Sequence, residues 1–482
     1  MGAYGGDGTE LPLPLESMDP QLVQILRDAT DFQVDDIFPS DLLEVKSLGL
    51  SGVSSLRGLE TARLDNLQRL VIVSNDLTSL AGLPSQLPSL VELGVSFNPM
   101  LQSLAGLPET LDSLSFITID GSRLQTLEDL PQDLPNLSIL RISNNDELIN
   151  LQGLPQTLPQ LTELLIQGND SLQILEGMPQ SLPLAFSISI SDNASLQSLV
   201  GMPQSLPNLN ILGIVSNEQL QSLAGMPQSM PNLSIFTLSR TQITNLQGIS
   251  QDLPNLQRLS ISDNAQLLEL SGMPLTLPGL KTLEISSNFQ LQSLEGMTQS
   301  LPELTNLSLS SNALQNLLGV AQNLPSLKIF SIQNIGSLQG LPDRLDRLTQ
   351  LSLSEKSQSQ PMSLDPDNLI GLPMTLPSLT QFDIGSFNFN LRSLEGMPQE
   401  MPLLTSLSIN SKLKTLEGMP DQLPALKTLT LKSRELENFS GMPQSLPRLT
   451  SLSISGQISQ SQLATAIAVQ IWLAFLKICQ AS

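Results

Sequence analysis

No histidine occurs in this chain of 482 residues, and it holds a single cysteine, a single tryptophan and a single tyrosine. Without histidine no Ser-His-Asp or Cys-His nucleophile can be assembled, and no histidine metal site. The lone thiol, Cys479, lies three residues from the C-terminus, has no partner for a disulfide, and is badly placed to be the nucleophile of a separate catalytic domain. Charged residues are only 14% of the chain and bases are the scarcer half, 22 Lys and Arg against 45 Asp and Glu, for a net charge of -23. That balance argues against nucleic-acid binding, which needs basic stripes. Carboxylates are plentiful, but nothing separates Asp192 or Asp263 from ordinary turn residues. Asp365, Pro366, Asp367 and Asn368 bring oxygen atoms together without the spacing or the glycine of a calcium loop. The expectation is a protein that is not an enzyme, with no catalytic residue, no cofactor and no metal.

What the chain does contain is one phrase repeated about every 23 or 24 residues between roughly residues 45 and 455. Leu137, Leu140, Ile142, Asn145, Leu148, Leu151, Gly153, Leu154, Pro155, Leu158 and Pro159 are matched, type for type, by Leu161, Leu164, Ile166, Asn169, Leu172, Leu175, Gly177, Met178, Pro179, Leu182 and Pro183. A period of this length is the signature of a solenoid. Counting the first leucine as position 1, the apolar residues at 4 and 6 share one face of a strand, so Leu140 and Ile142 point inward and Arg141 and Ser143 outward. One such strand and its loop cannot bury their leucines alone, so every copy must stack on its neighbours. Asparagine at position 9 must then be buried at constant depth, where it is tolerable only if its amide is paired, and a ladder of Asn bonded to neighbouring turns is expected. Two prolines four residues apart exclude a regular helix or an interior strand from the return segment.

The pattern resembles the leucine-rich repeat family over about four-fifths of the chain. That resemblance implies an α/β solenoid: a leucine-rich repeat horseshoe with a parallel concave β-sheet, a convex side of turns and extended, polyproline-like segments, and little helix. It also implies that the work of the protein is to bind other macromolecules. Length alone would suggest two or three globular domains, but the unbroken repeat predicts one elongated domain of about 17 repeats over residues 60–455.

The ends depart from the repeat. Residues 1–18 are Gly-rich and acidic, lack the order of a secretory signal and read as a flexible segment. Residues 19–59 read as a cap, with Leu22, Ile25 and Leu26 at helical spacing behind Pro20, followed by a degenerate first repeat. This region resembles the start of bacterial internalin-type repeat proteins, and the added Leu-Pro pairs are similar to those of repeat effectors that bacteria deliver into host cells. The absence of capping cysteines favours a cytosolic or bacterial setting. Localisation stays open between the cytoplasm and export by a non-classical route. Residues 456–482 carry an apolar stretch, Leu463 to Cys479, with three readings left open: a capping helix, a membrane or partner anchor, or the start of a truncated region.

For function, the sequence predicts a scaffold for protein–protein interaction, with a glycan- or matrix-binding surface module as the alternative. Outward positions 5 and 7 are mostly Ser and Thr, which reads as a smooth hydroxyl-lined face. Regularity breaks after Arg344: residues 1–343 hold 34 acids and 11 bases, and the remainder 11 of each. The repeat beginning at Leu348 swells through Ser354 to Asn368, Phe382, Phe387 and Phe389 follow, and the Asn slot is read as Lys412 and Arg434, close to Lys432. Aromatic and cationic side chains are the usual carriers of binding energy, so these six residues are the candidate partner contacts.

Overall fold

The computed structural model describes residues 10–30, 36–310, 312–354, 367–385, 390–443 and 445–455. The chain divides into two units, Met1–Gln242 with Gly248–Leu253 and Ile243–Gln247 with Pro254–Ser482. The first unit carries strands β1 (Ser47–Ser51), β2 (Arg69–Val73), β3 (Glu92–Ser96), β4 (Phe116–Asp120), β5 (Ile139–Ser143), β6 (Glu163–Gln167), β7 (Ser187–Ser191), β8 (Ile211–Val215) and β9 (Ile235–Ser239). The second carries β10 (Arg258–Ser262), β11 (Thr282–Ser286), β12 (Asn306–Ser310), β13 (Ile329–Gln333), β14 (Gln350–Ser354), β15 (Gln381–Ile384), β16 (Ser406–Ser411), β17 (Thr428–Ser433) and β18 (Ser451–Ser455). Within each unit the strands pair in chain order, all parallel, one per repeat.

Register is set by the leucines. Leu140 lies beside Leu164 and Leu164 beside Ile188, while Ile142 lies beside Ile166 and Ile166 beside Ile190. A slip of one residue would turn every inward side chain to the other face. One repeat shows how complete the burial is: Leu137, Leu140, Ile142, Leu148, Leu151, Leu154 and Leu158 are each at most 1% exposed. Such a core is closed only by the coils on either side, since a strand and loop cannot bury it alone.

Asn145 is 0% exposed. Its Nδ2 donates to the carbonyls of Ile119 in the preceding coil (3.2 Å) and of Ser143 (2.9 Å), and its backbone N–H donates to Asn169 Oδ1 in the following coil (3.1 Å). Asn169 repeats the bond onto Asn193 (3.1 Å) and Asn193 onto Asn217 (3.2 Å), so one amide per repeat ties three coils. The second unit does the same from Asn264 to Asn288 and from Asn288 to Asn312, each at 3.0 Å. Ser122 occupies this slot in one coil; its N–H reaches Asn145 Oδ1 at 3.3 Å but its buried Oγ has no partner.

The return side holds turns and single β-bridges, as the prolines require. Ser181, between Pro179 and Pro183, bridges Ser205, between Pro203 and Pro207. Prolines on both sides remove the donors that would let the pairing spread. A second ladder, absent from the sequence reading, runs here on glutamine. Gln156 Nε2 donates to Leu154 O in its own coil (3.1 Å) and to Gly177 O in the next (3.0 Å), and Gln204 does likewise to Met202 and Gly225 (both 2.9 Å). The glycine of this segment is fixed by two constraints at once. Gly201 has φ +98°, and a Cβ there would lie 2.3 Å from the Leu175 carbonyl carbon of the preceding coil.

Helix α1 (Pro20–Thr30) covers the first strand, with Leu22 and Leu26 fully buried. Asp19 ties it down: Oδ1 accepts from the N–H of Gln21 (2.9 Å) and Leu22 (3.3 Å), and Oδ2 accepts from the N–H (2.9 Å) and hydroxyl (2.6 Å) of Ser54. One carboxylate thus caps the helix and anchors it to the first repeat. The cap begins earlier than residue 19. Leu13 and Met18 are 4% and 5% exposed, and Leu13 N–H bonds Ile37 O at 2.8 Å, so these two side chains join the cap while Leu11, Pro12, Pro14, Glu16 and Ser17 around them stay exposed. The Met18 side chain lies against Gly58 of the first repeat. Residues 1–9 and the apolar stretch Leu463 to Cys479 lie outside the described residues. No helix among the described residues is long and apolar enough to cross a membrane.

Asn193→Ala should destabilise the fold by about 2 kcal/mol or more, because it strands the Asn169 N–H. Ser122→Asn should raise stability by about 1 kcal/mol by filling the empty rung. Denaturant unfolding of both variants checks this pair. At Asp19, burial acts to raise the carboxyl pKa, but the Ser54, Leu22 and Gln21 bonds outweigh it and hold the value below that of an ordinary aspartate. The cap's contribution is therefore present above the ordinary carboxylate range and lost as pH falls through the lowered folded value. Asp19→Ala should lower stability by about 1 kcal/mol at pH 7, with a gap to wild type that closes in strong acid.

Candidate functional site

With positions 4, 6 and 9 committed to the core, positions 3, 5 and 7 of each strand are the side chains the sheet presents outward. Strands β16 and β17 have six residues where most have five, and this moves the cations. Ser411 and Ser433, the last residues of these strands and 6% and 7% exposed, take the inward slot, not Lys412 and Arg434. Lys412 is half-buried and its Nζ donates to Asn390 Oδ1 at 3.0 Å. Lys432 projects outward from β17 beside Asn410, and both it and Arg434 are exposed.

Phe382 is a correction. It is 0% exposed at the inward position 4 of β15, in register with Leu351 and Leu407, and is core rather than a partner contact. An aromatic in a leucine slot is a larger core residue, as Phe236 and Phe330 are in other coils. Phe387 and Phe389 lie outside the described residues, as does most of the insertion at 354–368. The six candidates are therefore not gathered into one contact by the described residues; Lys432 and Arg434 alone stand exposed.

The outer face is smooth and hydroxyl-rich in the second unit, where Ile329 is the one apolar residue at the described outward strand positions. The first unit differs. Val71, Val73, Phe116, Ile139, Leu165, Ile211, Val215 and Ile235 all occupy outward positions and are all partly exposed. Phe116 lies beside Ile139, Arg141 beside Leu165, and Ile211 beside Ile235. The Arg141 guanidinium sits 5.3 Å from the centre of the Phe116 ring and pairs with Glu163 at 2.9 Å, which fixes the aromatic and the charges against one another. Half of this face, Phe116, Ile139, Ile211 and Ile235, stands at position 3, outside a reading of positions 5 and 7, and the other half is scattered among small polar residues at those two positions. The signal was in the sequence: large apolar residues recur in a slot that the inward pattern does not require to be apolar.

Beyond the strand ends the chain enters the left-handed region at position 8, with φ between +52° and +62° at its non-glycine residues, among them Asn144, Asp192 and Asp263. Asn and Asp accept this conformation most readily, so these carboxylates are turn residues. Repetition sets like charges side by side. Asp146 has its carboxyl pKa raised, first by partial desolvation and then by the charge of Asp170 at the same position one coil on. No group of three Asp, Glu or Cys among the described residues is placed to hold a metal ion.

Parallel strands in register, one per 23 or 24 residues, with a buried asparagine bonded coil to coil, decide the architecture. This is a leucine-rich repeat fold. No family profile and no curated protein sequence matches the chain. Solved leucine-rich repeat structures do. An internalin, InlF, from Listeria monocytogenes is 17% identical, with 93% of this chain and 99% of that one covered and a TM-score of 0.35. YopM from Yersinia enterocolitica is 23% identical, with 90% and 94% covered and a TM-score of 0.36. TLR13, from its complex with ssRNA13, is 18% identical, with 84% and 72% covered and a TM-score of 0.37.

The acidic turns yield an outcome of their own. A raised folded pKa means that protonation favours the native state, so this stabilisation is full below the ordinary carboxylate value and is lost as pH rises through the folded one. At neutral pH the Asp146 charge opposes folding. Asp146→Asn should therefore raise stability at pH 7 by about 0.5 kcal/mol or less, as expected of an exposed pair, and leave it unchanged in strong acid. Thermal unfolding at both pH values decides this.

Proposed function

We propose that this protein is a non-enzymatic leucine-rich repeat scaffold that binds another protein through the outer face of its strands. The observation that carries the reading is the apolar and aromatic character of the β4–β6 face, braced by Arg141 between Phe116 and Glu163. Outward apolar residues add nothing to the solenoid core, and a ring held under a guanidinium is the kind of anchor that concentrates binding energy. The absence of histidine supports a role without catalysis. The setting we infer is bacterial, with a role in host interaction, on the likeness of residues 19–59 to internalin-type starts. Exposed Lys432 and Arg434 form a second candidate contact on β17 and just beyond it.

The alternative, a module binding glycan, draws on the half-exposed hydroxyls of Ser308, Ser331 and Ser352, which lie side by side on β12, β13 and β14. Photo-crosslinking residues placed singly at 165, 211, 331, 352 and 432 separate these readings. We expect protein adducts concentrated at 165 and 211, and loss of about 2 kcal/mol or more of binding to the captured partner on Phe116→Ala. Adducts confined to 432 would move the site to the cations. Saturable glycan binding abolished by Ser331→Ala with Ser352→Ala, and no protein adduct, would replace this function by the alternative.

A further inference from the structure

The same face has a charge environment that narrows what can dock on it. Residues 101–220 contain thirteen Asp and Glu and two bases, Arg123 and Arg141. Both bases are already engaged, Arg123 with Glu147 at 3.7 Å and Arg141 with Glu163 at 2.9 Å. Negative charge is left over, and part of it borders the outer face: Asp120 closes β4, Asp192 follows β7, and Asp146 and Asp170 sit in the turns after β5 and β6. At about 3.3 Å per residue, these carboxylates lie within about 25 Å of the apolar residues at the other ends of the strands. Asp146 and Asp170 stand at the same position of successive coils, and the charge of Asp170 adds to partial desolvation in raising the Asp146 carboxyl pKa.

Shape adds a second restriction. The outward residues of β7 are Ser187, Ser189 and Ser191, and Gly213 lies beside Ser189 in β8. Small side chains here stand between Leu165, which lies between Glu163 and Gln167 on β6, on one side and Ile211 and Val215 of β8 on the other. The result is a shallow trough with a polar floor, apolar banks and an acidic rim. Small residues admit a bulky side chain from outside, the banks give it apolar contact, and the rim attracts positive charge.

Resting on the protein-binding function argued above, we propose that the outer face of β4–β8 docks a basic amphipathic segment of a partner protein. Large apolar side chains of that segment enter the trough over β7, while its Lys or Arg residues face Asp120, Asp146, Asp170 and Asp192. The carboxylates select by charge and speed encounter; the apolar banks hold the complex. An acidic segment is repelled by the rim, and a basic segment without apolar side chains gains only salt-sensitive attraction.

The test uses the full chain and three labelled 16-residue synthetic peptides of equal length, with Leu and Lys, Leu and Glu, or Ser and Lys spaced for an amphipathic helix. Fluorescence anisotropy should show the Leu/Lys peptide binding at least tenfold tighter than either of the others. Phe116→Ser with Leu165→Ser should weaken it at least tenfold with little change in salt dependence. Asp146→Asn with Asp170→Asn should weaken it severalfold and flatten the salt dependence. Circular dichroism and unfolding midpoints verify that both variants remain folded. Equal binding of the Leu/Lys and Ser/Lys peptides, no binding of the Leu/Lys peptide, or indifference to the β4–β6 variants would overturn the proposal. Preference for the Leu/Glu peptide, lost on Lys432→Glu with Arg434→Glu, would also overturn it, yet would leave the protein-binding function standing. If the crosslinked partner of the preceding section fails to appear and glycan binding is found, the function itself has failed.

Discussion

Everything in this molecule depends on the fact that no coil can satisfy itself. Asn145 has one amide, and its partners lie in its own coil, the one before and the one after. Leu137 to Leu158 are covered by neighbouring copies of themselves. A buried amide without partners and a leucine facing water are both costly, so the native state of each repeat exists only as a member of a stack. Stability is shared, and a defect at one rung reaches the rungs beside it.

That constraint explains which positions vary. The glycine before the Met-Pro or Leu-Pro pair recurs because adjacent coils approach within a Cβ's radius there and the backbone turns left-handed. The glutamine that follows recurs because its amide bonds two coils on the return side, a second seam parallel to the asparagine ladder. Positions 3, 5 and 7 carry no such duty. Whatever is written there is free of the core, and a departure from small polar residues at those positions calls for an explanation outside the fold. Phe116, Arg141 and Leu165 are such departures, and Ser308, Ser331 and Ser352 are not.

The fold was legible because its determinants repeat. Leu140, Ile142 and Asn145 announce strand, inward face and buried ladder, and the structure places them so. The return side was legible through its prolines, although its glutamine bonds were not, since Gln has no conformational signature and reads as a surface residue. The site was less legible, for a definite reason. Departure from the repeat can mark a contact, but at Phe382 the departure is internal, a larger side chain in a leucine slot. The regular frame puts Lys412 and Arg434 in the Asn slot, whereas the longer strands β16 and β17 bring Ser411 and Ser433 inward. The apolar face of the first unit obeys the repeat length perfectly, so a search for irregularity passed over it.

Repetition in register also has an electrostatic consequence. Strands about 4.8 Å apart bring the same position of successive coils together, so a carboxylate written twice in one column becomes a repelling pair. Asp146 and Asp170 are one such pair. Elsewhere neutral side chains moderate the column: Asn144 donates to Asp120 at 2.6 Å and Gln167 to Asp192 at 3.1 Å. Where the sequence interleaves signs, as at Arg69 and Glu92 or Arg141 and Glu163, neighbouring coils are held by ion pairs instead. A solenoid could place arginine beside every acid, and this one does so at Glu92 and Glu163 but not at Asp146 and Asp170. The uncompensated charge is tolerable in isolation because it is exposed and screened. Its removal from water by a docked surface would be tolerable only if that surface brought the missing cations, and the same repeat geometry that stacks the leucines therefore restricts the charge of the partner.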